Sequence, residues 1–413
     1  MPVTYEVPEG VTYGCTMCGD CCRSYHVLVT DAERARIEAL DFAGKVDRLA
    51  GAPRTKPSRE PGTTRFHALE RREDGRCTFL GERNQCLIHE HFGEDPKPLT
   101  CKLYPYSFYP MGSRVGVNVA FSCKSVSEGL GQDVRATQPQ WTAQFFGTHE
   151  GKDRHKHRLT DAFEIPGDLA WEIEHTVMGH LRDRSMPFHD RVRCALLFLR
   201  LGTTGDPLAK TAAMFREAIA AGTRKQLAKV DRSETMDPTQ RALFRQWLFL
   251  LHNPTPITFH ERPAGEQERV KAQLVAAGEA FCEGKGPFWM GGEPFPADPA
   301  AIDAVDVAFL LGTETAFLET FFCAKIIGQK FLMSGPGELP LVEGLRRLLL
   351  YHPMVAWTAK AFAARRGAAA VGEQDVRRAA RSLDQTIGLH DMARLPRKLA
   401  DAMKFIVMET PLV

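Results

Sequence analysis

The sequence predicts an α+β protein, with a small, irregular, cysteine-rich metal-binding domain over residues 1–150 and an all-α helical domain over residues 151–413. Three observations point there. Eight of the eleven cysteines fall within the first 123 residues, among dense turn signals. Val115, Val117, Val119 and Phe121 alternate as in a half-buried strand. Most of the chain beyond about residue 160 carries amphipathic helical patterns, with no repeat of 20 to 50 residues that would make a solenoid.

Taken in order, TDAERARIEAL (30–40) is the clear helix of the first part. Thr30 is its N-cap, Glu33 its capping-box partner, and Ile37 and Leu40 face inward. Phe66–Glu70, Cys77–Leu80 and Cys86–His89 read as short strands, with a turn at Asp74-Gly75, so a small irregular sheet is expected. HEGKDRHKHRLT (149–160) is polar and aperiodic and serves as the connection between the parts. Beyond it, Asp206-Pro207, Asp237-Pro238 and Asp298-Pro299 each set a capping acceptor before a proline at the first helical position. The first of these helices stops near Gly222, another closes at Asn253-Pro254, and Ser334-Gly335-Pro336-Gly337 separates two long apolar segments, Ile302–Met333 and Leu339–Ala364. Phe309, Leu310, Phe317, Phe321 and Phe322 recur at helical spacing as core. The arginine pairs 346–347, 365–366 and 377–378 read as solvated helix faces.

With 44% hydrophobic and 25% charged residues, the 413-residue chain has the composition of a globular protein. Lys and Arg number 53 against 51 Asp and Glu, a formal charge of +2, which leaves no excess to track a phosphate backbone or an anionic membrane. Neither nucleic acid nor a membrane is the expected partner. No segment approaches the ~18 uninterrupted apolar residues of a membrane span, and the opening MPVTYEVPEG lacks a secretion signal. The expected location is cytoplasmic, where crowded thiols stay reduced and bind metals or act in redox catalysis.

The first cysteine group is Cys15-x2-Cys18-x2-Cys21-Cys22. Three thiols at successive x2 spacing can wrap one metal centre from three sides, as in the C-x2-C-x2-C run of bacterial ferredoxins that binds a 4Fe-4S iron–sulfur cluster. Gly19 inside the loop suits a close backbone approach. Zinc would more often take two C-x2-C pairs, and there is no second pair here. Cys77, Cys86, Cys101 and Cys123 follow singly, so the eight candidate metal ligands could serve one cluster plus one zinc, two zinc sites, or one cluster with spare thiols. His89 and His91 are possible nitrogen ligands. Cys194, Cys282 and Cys323 sit on apolar helix faces and read as core.

Cys15-x2-Cys18-Gly19-x-Cys21-Cys22-Arg23, Cys77-Thr-Phe-Leu80, Cys86-Leu-Ile-His89 and Pro98-Leu-Thr-Cys101-Lys-Leu-Tyr-Pro105 together resemble the zinc- or iron-chelating cysteine-cluster family, over about residues 13 to 125. The long form with a helical tail resembles the flagellin lysine N-methylase group. That resemblance implies an iron–sulfur cluster, S-adenosylmethionine as methyl donor and a protein lysine as acceptor. Tyr104, Tyr106, Asp20 and His89 would be the candidates to take the lysine's proton. Alternatively, Tyr104-Pro-Tyr-Ser-Phe-Tyr109-Pro is an aromatic wall shielding the metal.

Several motifs are absent. Met290-Gly291-Gly292 runs into prolines, not a helix, so a dinucleotide-type methyltransferase fold is not expected. Cys18-x3-Cys22 begins a radical S-adenosylmethionine motif, but Tyr25 stands where its third thiol would fall. No phosphate loop, H-E-x-x-H or G-x-S-x-G occurs. Any chemistry must rest on the cysteines, and two functions stand: a methyltransferase acting on protein lysines, or a zinc- or iron-stapled module that binds a protein partner.

Overall fold

Alternating valines place Arg114–Val119 at the centre of a three-stranded sheet, parallel to Thr4–Glu6 (Thr4 opposite Arg114) and antiparallel to Tyr106–Met111 (Tyr106 opposite Val119). The computed structural model describes residues 4–59, 63–111, 114–138, 156–161, 163–201, 237–253, 259, 262–290, 293–297, 299–311, 315–334 and 337–385. The central strand is not half-buried as its alternation suggests. Gly116 and Asn118 are as buried as the valines between them, because the helix Ala316–Gly328 packs across the strand. A Cβ at Gly328 would stand 2.4 Å from the Cβ of Asn118, so only glycine allows this approach.

A second sheet orders Leu28–Val29, His67–Leu69 and Thr55–Pro57, all antiparallel. Beside it the helix Asp31–Glu38 starts as its sequence requires: Thr30 accepts from the Glu33 N–H (3.3 Å), and the Glu33 carboxylate accepts from the Thr30 N–H (2.8 Å). Ile37 is buried and Leu40 half-buried. Val29, Ile37, Phe42, Leu49, Leu69, Phe79, Leu87 and Ile88 form a small core, with Cys77 and Cys86 packed against it. Two expected strands do not form. Cys77–Leu80 is a tight turn held by isolated bridges from Arg71 to Cys77 and from Leu80 to Cys86. Cys86 instead precedes the helix Leu87–Phe92, whose buried Leu87 and Ile88 face the small core. Apolar runs this short fit either structure, and tertiary packing decides between them.

The helical part begins with a hairpin of Lys156–Thr160 and Phe163–Pro166, so the expected connection is partly strand; residues 149–155 lie outside the described residues. Helices follow at Gly167–Leu181, Phe188–Leu201, Pro238–His252 and Ala264–Cys282. The third is capped by Asp237 with Pro238 at its first position and ends at Asn253, as expected. The helix expected from Pro207 to Gly222 lies outside the described residues.

The two long apolar segments are broken. The first divides into Pro299–Asp303, Ala308–Leu311 and Ala316–Gly328. The second is separated from it by the hairpin Met333–Ser334 and Gly337–Glu338, and divides into Leu341–Leu349 and Tyr351–Arg365. Pro353 lies in the first turn of Tyr351–Arg365, where it lacks the N–H a continuous helix would need. Glu373–Asp384 is the last described helix.

The main core runs across both parts, joining Val11, Val119, Phe121 and Cys123 to Leu310, Phe321, Phe322 and the later helices. The paired arginines are mixed: Arg347 and Arg377 are half-buried, while Arg365, Arg366 and Arg378 are exposed as the helix-face reading expects. Arg346 is buried, and Arg347, Arg365, Arg377 and Arg378 lie over the rings of Trp247, Phe295, Phe317 and Phe362. Cys194 and Cys323 are buried in the helical part, and Cys282 is half-buried at the end of its helix. No described helix is long and apolar enough to cross a membrane.

Candidate metal centre

The loop that carries the first cysteines is pinned at both ends. Thr12–Tyr13 pairs with Gln132–Asp133, and the buried Ser125 hydroxyl accepts from the Gly14 N–H (3.2 Å) and donates to the Gly14 carbonyl (2.6 Å). Gly19 then turns the chain through a left-handed conformation (φ 74°) into the helix Asp20–Ser24, which holds Cys21 and Cys22. This one-turn helix has no periodic signal among the residues that form it. Arg23 reaches back to the Cys18 carbonyl (2.8 Å) and across to Asn84 Oδ1 (2.5 Å). Arg71 donates to the Arg23 and Tyr25 carbonyls, and the Cys77 N–H donates to the Cys22 carbonyl (2.8 Å).

The single cysteines arrive from separate segments. Cys86 precedes its helix, and Cys101 lies within the helix Leu99–Leu103. Glu33 accepts from the Leu99 N–H (2.8 Å), tying that helix to Asp31–Glu38. Burial works against the Glu33 carboxylate, but hydrogen bonds from Leu99 and Thr30 outweigh it and lower its pKa. Cys123 is the buried residue preceding the helix Lys124–Glu128.

All eight thiols are free of disulfides. Cys21 and Cys22 have their sulfurs 3.9 Å apart, and their hydrogen bond together with burial raises the Cys21 pKa. Burial pushes Cys77 up to about 11, with Cys86 and Cys21 close enough to add to it. Burial raises Cys101 further, again with Cys77, Cys86 and Cys21 contributing. Burial raises Cys123 to about 11, with Cys18 and Cys21 adding. These are protonated thiols in the metal-free chain, and binding a metal would displace their protons. Among the described residues, no three Cys, His, Asp or Glu side chains stand around one point as ready-made ligands of a single ion. His89 is exposed, and His91 lies near the rings of Phe42 and Phe92.

Tyrosines line the Cys123 side. Tyr13 meets Tyr106 edge-on (5.8 Å between centroids), Tyr25 meets Tyr104 (5.2 Å), and the Tyr13 hydroxyl donates to the Tyr104 carbonyl (3.4 Å). Tyr104 and Tyr106 of the expected wall thus pack against Tyr13 and Tyr25, for which only their nearness to cysteines in sequence was a signal. Burial raises Tyr104, Tyr106 and Tyr25, the last to about 12, so these phenols are poor proton acceptors near neutral pH. Asp20 is held in ion pairs with Arg381 and Arg23.

Residues from the far end of the chain also reach the site. Asp384 Oδ2 accepts from the Ser122 N–H (2.9 Å), Arg381 donates to the Ser122 carbonyl (3.3 Å), and Arg377 donates to the Ser127 carbonyl (2.9 Å). The Ser122 hydroxyl bonds to the Tyr25 hydroxyl (2.6 Å). Sequence reasoning missed Arg377, Arg381 and Asp384, since they lie about 250 residues or more from their partners.

Residues 14–128 match the family model described as "CxxCxxCC: Putative zinc- or iron-chelating domain". The uncharacterized protein MJ0939 of Methanocaldococcus jannaschii is 28% identical over 111 residues, covering 26% of this chain and 34% of that protein. The chain thus spans about a third of the length of this relative. No solved structure matches the chain. Both the match and the donor set support zinc or iron chelation by the cysteine segment. The residues fit such a group: eight free thiols, several desolvated, are soft ligands suited to zinc or to iron–sulfur clusters.

Proposed function

We propose that the cysteine segment binds an iron–sulfur cluster and that the protein uses it to transfer methyl groups from S-adenosylmethionine to lysine side chains of a protein substrate. The observation that carries the metal reading is the gathering of free thiols from five separate stretches of chain, which hydrophobic packing alone does not require. The C-x2-C-x2-C spacing of Cys15, Cys18 and Cys21, the run that ferredoxins use for three ligands of a cubane, favours a cluster. S-adenosylmethionine, when bound, supplies a methyl carbon to a neutral lysine amine, with loss of one proton and release of the thioether. The tyrosine wall would exclude water on the Cys123 side. Its raised phenols are poor acceptors, which leaves Asp20, exposed His89 or solvent to take the proton.

One observation favours the alternative of a zinc-stapled module that binds a protein partner. The 3.9 Å between the Cys21 and Cys22 sulfurs is close to the edge of a zinc–thiolate tetrahedron, about 3.8 Å for bonds of about 2.3 Å. The test is iron, zinc and acid-labile sulfide per chain in protein purified without oxygen, with visible spectra before and after S-adenosylmethionine. About four irons and four sulfides are expected for one cubane, with a spectral change on adding S-adenosylmethionine. Zinc alone, without sulfide or colour, would overturn the cluster and leave the zinc-stapled module. Absence of the spectral change, with the cluster present, would remove methyl transfer.

A further inference from the structure

We infer that Arg381 and Ser122 are positioning residues of the metal centre: with Asp20 and Tyr25 they hold the Cys21–Cys22 helix and the Cys123 segment in one frame, so that the last described helix governs how tightly metal is kept. This rests on the proposal that the cysteine segment binds metal, and deepens it by naming what fixes two ligand-bearing segments relative to each other.

Ser122 immediately precedes Cys123 and is buried, and each of its polar groups has a partner from a distant part of the chain. Its N–H donates to Asp384 Oδ2 (2.9 Å), its carbonyl accepts from Arg381 Nε (3.3 Å), and its hydroxyl bonds to the Tyr25 hydroxyl (2.6 Å). Arg381 also donates through Nη2 to Asp20 Oδ2. Asp20 opens the helix Asp20–Ser24, and Tyr25 closes it. The helix that bears Cys21 and Cys22 is therefore tied to Ser122 at both ends, through Arg381 at its start and through the hydroxyl pair at its finish.

Neither tie is local: Tyr25 and Ser122 are 97 residues apart in sequence, and Asp20 and Arg381 are 361 apart. Ser125 and Gly14 join the same two segments ahead of Cys15, and the frame joins them again beyond Cys22, so the cysteine loop is held on both sides. Arg377, Arg381 and Asp384 recur at helical spacing on one face of Glu373–Asp384, and all three bond to the segment that carries Cys123. Arginine suits the central place, because its planar guanidinium presents several donors in a fixed fork and can span two acceptors at once. Groups that orient ligands without touching the metal typically change metal affinity by about 10- to 100-fold when they are removed.

The experiment uses the full chain purified without oxygen. Metal per chain, the thiolate-to-metal absorption and the rate of release to a colorimetric chelator are measured in the parent, Arg381→Met, Tyr25→Phe and Arg366→Met. The last variant breaks the Arg366–Asp375 pair (2.6 Å) at the start of the same helix without touching the cysteine segment, and so reports the effect of looser docking alone. Arg381→Met should release metal about ten-fold faster than the parent, with a shifted absorption. Tyr25→Phe should do the same more weakly, and Arg366→Met should match the parent in both readouts. Parent-like release and absorption in either Arg381→Met or Tyr25→Phe would overturn the inference. Equal acceleration in Arg366→Met would also overturn it, by assigning the effect to docking in general. Tyr25→Phe removes one hydroxyl and keeps the ring, so it decides the matter where Arg381→Met fails to fold. A parent that holds no metal at all instead refutes the proposed function on which the positioning role rests.

Discussion

Replacing Lys325 by Met tests how firmly the helical part is bound to the cysteine segment. The Lys325 ammonium and the Asp384 carboxylate are both buried, 2.5 Å apart. The ammonium also donates to the Val119 carbonyl (3.0 Å) and lies over the Phe121 ring, while Asp384 accepts from the Ser122 N–H. Burial lowers the Lys325 pKa, and Asp384 works against that shift. Removing one partner of a buried pair strands the other charge, at a cost of about 3–5 kcal/mol. At about 2 °C per kcal/mol for a large chain, Lys325→Met should melt roughly 6–10 °C below the parent, followed by circular dichroism at one fixed scan rate. Asp384→Leu should be comparably damaging. The double variant removes both charges and should be more stable than the sum of the two losses predicts, by at least about 1 kcal/mol. Additive losses would refute the coupling and leave the contact between Asp384 and Ser122 as an independent hydrogen bond.

Glu174 is buried against Gln329 (2.7 Å), and burial raises its pKa from 4.5 to about 8. The unfolded chain ionises this group above about 4.5, whereas the folded chain keeps it protonated until about 8, so its contribution to stability falls between those values. From pH 5 to 7.5 the parent should lose about 3 kcal/mol more than Glu174→Gln in urea unfolding; parallel pH dependence of the two proteins would be the contrary result. Gly19→Ala places a Cβ 2.6 Å from the Arg23 guanidinium, in a left-handed conformation that costs an alanine about 1 kcal/mol or more. It should lower metal retention several-fold at a limiting chelator concentration, and unchanged retention would show that the loop does not depend on this turn. Thr30→Ala should cost about 1 kcal/mol by loss of the cap. Glu33→Ala should cost more, because it also strips the acceptor from Leu99; the order is read from urea midpoints, and its reversal would remove Glu33 as the tie to the Cys101 helix.

What the sequence by itself determined is local. The α+β character, the Thr30–Glu33 capping box, the Asp237 cap before Pro238 and the role of Gly19 are carried by residues within a turn of one another, whose contacts are local. The eight candidate ligands are equally legible, because crowded thiols in a long chain are a chemical signal that needs no fold. What only the tertiary structure decided involves partners far apart in sequence. The burial of both faces of Arg114–Val119 depends on a helix about 200 residues later, and the helical start after Cys86 depends on a core assembled from several segments. The arginines follow the same rule: periodicity assigns them to the outside of a helix, but an aromatic ring or a carbonyl from another element offers their guanidinium groups a partner that water alone does not. The Asp20–Arg381 and Ser122–Asp384 contacts leave no periodic trace, since an ion pair or a single hydrogen bond needs only one residue on each side, and the fold alone brings those residues together.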